Sequence, residues 1–110
     1  MDLPTRTEEM ILLAVHRLEN DAYGITIRAQ IEELLGRGFS VGAIYVPLDR
    51  LVQKGYLITS QGDPTPTRGG RSKRYYRLST EGRVALQEVK TLENAMWRDL
   101  PDLGIASAHP

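Results

Sequence analysis

The chain has 110 residues, 41% of them hydrophobic, with 14 basic and 14 acidic side chains and no cysteine. That composition fits one small globular domain and excludes a disulfide framework or a thiolate metal site. No run approaches the length of a membrane-crossing helix or a signal-peptide apolar segment, so the sequence reads as cytoplasmic. A domain of this size buries only about two thirds of its unfolded surface, and a second copy would add apolar cover.

Residues 7 to 18 space Met10, Ile11, Leu13, Ala14, Val15 and Leu18 at intervals of three and four. With Thr7 placed to cap and Glu8 and Glu9 in the first turn, this predicts a first helix. Ile27, Ile31, Leu34 and Leu35 repeat the pattern over residues 24 to 35, and Gly36 and Gly38 supply a stop. A third helix is predicted from about 41 to 53, capped by Ser40 and ended at Gly55, with Val41, Ile44, Leu48, Leu51 and Val52 on one face. Pro47 removes one backbone hydrogen bond, at a cost of about 3 kcal/mol in a regular helix, so a kink is expected near residues 43 to 47.

Tyr56 to Ser60 and Lys73 to Ser79 alternate as strands, and the Gly- and Pro-rich residues 62 to 70 between them predict a hairpin with a long tip. Residues 64 to 80 hold Arg68, Arg71, Lys73, Arg74 and Arg77 and no acidic residue, in a chain of zero net charge. Such segregation suits a polyanion better than a core. Alternation puts Arg71, Lys73 and Tyr75 on one side and Arg74 and Tyr76 on the other, so one tyrosine is expected to turn inward. Ser79 or Thr80 is placed to cap a last helix that reaches about Leu100 before Pro101. Ala85, Val89, Leu92 and Met96 form a narrow seam of the kind two helices share, and residues 101 to 110 read as a frayed tail.

Three helices, a strand, a basic tip, a strand and a helix make an α+β chain in the order of a winged helix-turn-helix. Residues 1 to 80 would form the winged domain, 81 to 100 a dimerisation helix and 101 to 110 a tail. In that arrangement the third helix enters the major groove of duplex DNA, while the wing reaches phosphates or the neighbouring minor groove. The same elements also suit a protein-interaction module whose basic wing docks an acidic surface.

Four stretches carry a family resemblance: Ala22-Tyr-Gly-Ile-Thr-Ile27, Ser40-Val-Gly-Ala-Ile-Tyr-Val-Pro-Leu-Asp-Arg-Leu51, Lys54-Gly-Tyr-Leu-Ile58 and Gly70-Arg-Ser-Lys-Arg-Tyr-Tyr-Arg-Leu-Ser-Thr-Glu-Gly82. Through them the chain resembles the PadR family of bacterial transcriptional regulators, and within it the small members with a single C-terminal helix. The resemblance covers most of residues 9 to 90. It implies a homodimer on a pseudopalindromic operator, usually repressing, and in some members a flat aromatic effector held between the C-terminal helices. Two departures stand out: Val46 separates Tyr45 from Pro47, where the family commonly has the two adjacent, and Ile25 and Thr26 stand where many members have Tyr and Glu.

The candidate DNA-contacting residues follow. Ser40, Gly42 and Ala43 would open the third helix with a hydroxyl cap and small residues that let backbone amides approach phosphate or base edges, and Tyr45 projects from the next turn. Arg71, Lys73 and Arg74 carry the phosphate contacts, each adding to the salt dependence of binding. Arg50 has two readings, a phosphate contact or a pair with Glu32 or Glu33. Trp97 also has two, an anchor in the dimer core or a platform for an aromatic effector. Arg68-Gly69-Gly70, a single RGG unit inside a hairpin, reads as turn chemistry, and His16 as an ordinary helix histidine. With His109 far away in the tail, no P-loop and no metal-ligand spacing, neither an enzyme nor a cofactor is expected.

Overall fold

The structure, a computed structural model, describes residues 3–38, 40–62 and 73–105. Helix α1 (Arg6–Leu18) starts at Thr5, whose Oγ1 accepts from the Glu8 N–H at 3.2 Å while Glu8 Oε1 accepts from the Thr5 N–H at 2.9 Å. The cap is therefore Thr5 and not Thr7. A reciprocal box needs Glu or Gln three residues on, which Thr5 has in Glu8, whereas Thr7 has Met10.

After a 3₁₀ turn over Glu19–Asp21, helix α2 (Gly24–Leu35) closes at Gly36, which adopts φ 72°. Helix α3 (Val41–Gln53) begins with Ser40 Oγ accepting from the Ala43 N–H at 3.1 Å and stays helical on both sides of Pro47. Ile11, Leu12 and Val15 of α1, Ile27 and Ile31 of α2, and Ile44, Leu48 and Leu51 of α3 interlock into one core. Leu34, read as part of the α2 stripe, lies 54% exposed at the edge of that core.

Strands β1 (Leu57–Gln61) and β2 (Arg74–Leu78) pair antiparallel, with Leu57 opposite Leu78 and Gln61 opposite Arg74. The connector before α2 adds a third short edge: the Tyr76 N–H donates to the Ala22 carbonyl at 2.8 Å, and Tyr23 bridges Tyr75. This fixes the hairpin against the start of α2. The expected hairpin tip, with Arg68 and Arg71, lies outside the described residues, as do residues 106 to 110 of the expected tail.

Helix α4 (Thr80–Trp97) is capped by Ser79, whose Oγ accepts from the Gly82 N–H at 2.9 Å and donates to the Gly55 carbonyl. Gly82 has no room for a side chain, because a Cβ there would collide with the Tyr56 carbonyl oxygen. The backbone of α4 thus sits directly on the entrance to β1, and Ala85 joins the core. The helix ends at Trp97, short of Leu100. Pro101 disfavours helical backbone at Leu100, and Asp99 already turns to φ 63°.

From Lys90 to Ile105 every residue is exposed. The radius of gyration of 16.1 Å exceeds the value of about 13 Å expected for a compact chain of this length. The far half of α4 is an arm. Among the described residues no helix is long and apolar enough to cross a membrane.

Candidate nucleic-acid interface

Helix α3 divides cleanly by periodicity. Ile44, Leu48 and Leu51 are at most 1% exposed, whereas Gly42, Tyr45, Val46, Asp49, Arg50 and Gln53 face out at spacings of three, four, seven, eight and eleven from Gly42. Ser40 is exposed and Ala43 half-buried, so the small residues expected at the start of the helix do lie at an accessible end. Val46, 63% exposed, was not among the expected contact residues. Its position just off the Ile44–Leu48–Leu51 stripe is the sequence signal that marks it as outward.

Tyr45 is held by α2. Its phenol lies against Gly24, where any Cβ would overlap the hydroxyl and ring. The glycine of the Tyr23-Gly24 pair therefore lets α2 and α3 approach, and it sets the direction in which Tyr45 leaves the surface.

Arg50 meets neither Glu32 nor Glu33. Its Nε lies 3.6 Å from Oε2 of Glu8, and Lys54 Nζ donates to both Glu8 oxygens at 3.1 Å. Glu8 is 1% exposed, so its charge needs these partners, while Arg28 pairs with Glu32 at 2.9 Å. Burial pushes the Glu8 carboxyl up, but the Thr5 N–H, Lys54 and Arg50 together outweigh it and hold the group below its ordinary range. Half of the Arg50 side chain remains exposed.

Just before β2, Lys73 lies exposed with Nζ 4.5 Å from the centre of the Tyr23 ring, and Tyr23 meets Tyr75 edge-on at 5.4 Å. Tyr76 is the inward tyrosine, 3% exposed; burial pushes its phenol up even though Arg74 acts against the shift. The Arg74 guanidinium sits 5.8 Å from that ring and 3.9 Å from Oδ1 of Asp49. This last contact is exposed and weak in energy. Its importance is positional, since it puts the cationic strand beside the outward face of α3.

The expected dimer seam separates into two parts. Ala85 and Val89 are buried by the chain's own core, at 0% and 8% exposure, while Leu92, Met96 and Trp97 stand at 44%, 68% and 56%. Among the described residues no group of three or more His, Asp or Glu gathers as metal donors.

The model of the transcriptional regulator PadR-like family matches residues 11–88. No curated protein matches the chain significantly. Among solved structures, RosR from H. salinarum is 26% identical with a TM-score of 0.69, covering 89% of this chain and 81% of its own. A PadR-like transcription factor from Bacteroides fragilis is 25% identical with a TM-score of 0.69 and 81% coverage of each chain. A PadR family transcription regulator from Clostridium difficile R20291, at 23% identity and a TM-score of 0.64, covers 84% of this chain and 90% of its own, and shares the fold.

Proposed function

This chain belongs to the PadR-like family of transcriptional regulators, and from that premise we propose that it is a cytoplasmic repressor that binds a pseudopalindromic duplex operator as a homodimer. The observation that carries the reading is the surface shared by α3 and β2, where Arg74 reaches Asp49. A cationic strand beside an outward helix face matches the two demands of operator binding, position from phosphates and sequence from base edges.

In this mechanism the Ser40 end of α3 enters the major groove. Tyr45 and Val46 offer a ring and a methyl surface, the latter suited to a thymine methyl, and Asp49 can accept from a cytosine amino group. Lys73 and Arg74 bind phosphates together with Arg71. Arg50, half of whose side chain is exposed, joins them, with its Nε leaning on Glu8. Leu92 and Met96 of α4 need apolar cover, which a second copy would supply, with Ala85 and Val89 as their continuation toward the core. Two copies would set the α3 helices one DNA turn apart, about 34 Å. An aromatic effector stacked on Trp97 between the two α4 arms would change that separation and release the operator.

The test is a titration of fluorescent duplexes covering the DNA upstream of the protein's own coding region, across a salt series, with a Lys73→Ala/Arg74→Ala variant alongside. Tight, sequence-dependent binding is expected, with a salt slope that falls by about 2 in the variant. Weak binding, equal on all duplexes and unchanged in the variant, would replace the reading with a winged-helix protein-interaction module.

A further inference from the structure

The cation at the foot of the hairpin is held by a ring. Lys73 Nζ lies 4.5 Å from the centre of the Tyr23 ring and donates to its hydroxyl at 3.4 Å. The backbone of Lys73 is fixed as well, because its carbonyl accepts from the Gly62 N–H at 2.8 Å. Both ends of an exposed, flexible side chain are therefore constrained from within the fold.

Tyr23 is held in its turn by three contacts. Its N–H donates to Thr26 Oγ1 at 2.9 Å at the start of α2, its backbone bridges Tyr75 of β2, and its ring meets the Tyr75 ring edge-on. Tyr75 packs over Gly62, where any Cβ would overlap its ring. The residue after Tyr23, Gly24, carries the Tyr45 phenol of α3. Two consecutive residues thus hold a cation of the hairpin and an outward ring of α3 in one frame.

The kind of partner decides what the cation can do. Among the described residues Lys73 has no ion-pair partner, whereas Arg74 lies 3.9 Å from Asp49 and Arg50 lies 3.6 Å from Glu8. A carboxylate would fix the ammonium but cancel its charge. An aromatic face fixes it through the ring quadrupole and leaves the full charge for an anion. A side chain ordered in advance also loses less freedom when it binds.

We propose that Tyr23 is a positioning residue for DNA binding, holding the Lys73 ammonium toward the duplex phosphates without neutralising it. This role rests on the operator-binding reading, whereas the Tyr23–Lys73 contact behind it does not.

The contact is read first in the free protein by NMR. The ring current should move the Lys73 ε-methylene protons upfield in wild type and in Tyr23→Phe but not in Tyr23→Leu, with Lys73→Ala identifying the signal. Absence of that shift in wild type would overturn the proposal whatever the protein does with DNA. Binding to the tightest duplex of the operator titration then tests the role. Tyr23→Leu should weaken it about two- to fivefold, the size of an exposed cation–ring contact, in the wild-type background and not at all in Lys73→Ala. Tyr23→Phe should recover wild-type affinity. Equal weakening in both backgrounds would leave Tyr23 as a support of the fold only; no weakening in either, or a Phe variant as weak as Leu, would equally overturn the proposal. If Lys73→Ala itself left affinity and salt slope unchanged, the phosphate role of Lys73 would fall and this one with it, a result distinct from failure of Tyr23 alone.

Discussion

At its C-terminal end α3 is tied to α1 through Glu8, a carboxylate 1% exposed that accepts from Lys54 at 3.1 Å through both oxygens and lies 3.6 Å from Arg50. At the N-terminal end, Ser40 caps its own helix, Gly42 is open, and Tyr45 leans on Gly24. One end is built from interactions that are costly to lose and the other from interactions that are easily exchanged. A helix that must present a face to a partner in a defined direction needs that division. Buried charge holds its axis, and the exposed end stays free to trade its contacts for those of a ligand.

The largest effect should come from breaking the anchored end. Glu8→Ala leaves Lys54 and Arg50 without their buried partner and removes half of the capping box of α1. Urea unfolding should show a loss of about 2–3 kcal/mol, below the full value for a buried pair because Lys54 is partly solvated. A loss under about 1 kcal/mol would mean that the buried carboxylate does not hold the helix, and the contrast between the two ends would fail.

The same group predicts an acid response. The folded-state carboxyl is held below its ordinary range, so its contribution is present above the unfolded pKa of about 4 and fades as pH falls through the lower folded value. Wild-type protein should therefore lose stability on acidification more steeply than Glu8→Gln, which keeps a carbonyl for the Thr5 N–H but has no charge to lose. Parallel curves for the two proteins would assign the acid response to other carboxylates.

A smaller effect is expected at the free end. Gly24→Ala would force the Tyr45 ring aside, but that ring is 42% exposed and can swing toward solvent. A cost of about 1 kcal/mol is expected in the wild-type background, against a gain of up to about 1 kcal/mol in Tyr45→Ala, where alanine is simply the better helix former. If the two backgrounds respond alike, Tyr45 is not what demands a glycine at position 24.

Most of the fold was legible in the sequence, because periodicity places Ile44, Leu48 and Leu51 on one stripe and Ser40 and Ser79 just before their helices. What was missed depends on contacts between distant residues. Glu8 reads locally as a favourable first-turn acid, and nothing near it in sequence points to Lys54, 46 positions away. Ala22 and Tyr23 are too few to carry a strand pattern, so their pairing with β2 had no periodic signal. The 3,4 spacing of Ala85, Val89, Leu92 and Met96 puts all four on one side of α4, the first two buried and the last two exposed. Spacing alone does not say where along that face the chain's own core stops covering it.

Arg50 tests the boundary between the two ends and should show the smallest change in stability. Its Nε stands 3.6 Å from Glu8, beyond the usual hydrogen-bond distance, and half of its side chain is exposed, while Lys54 alone serves both carboxylate oxygens. Arg50→Ala should therefore cost no more than about 0.5 kcal/mol in urea unfolding. Its guanidinium nitrogens remain available for a phosphate, and the salt slope of operator binding should fall by about 1 in the variant. A stability loss comparable with that of Glu8→Ala, with the slope unchanged, would place Arg50 wholly among the anchoring residues and leave the contacts with DNA to Lys73, Arg74 and the outer face of α3.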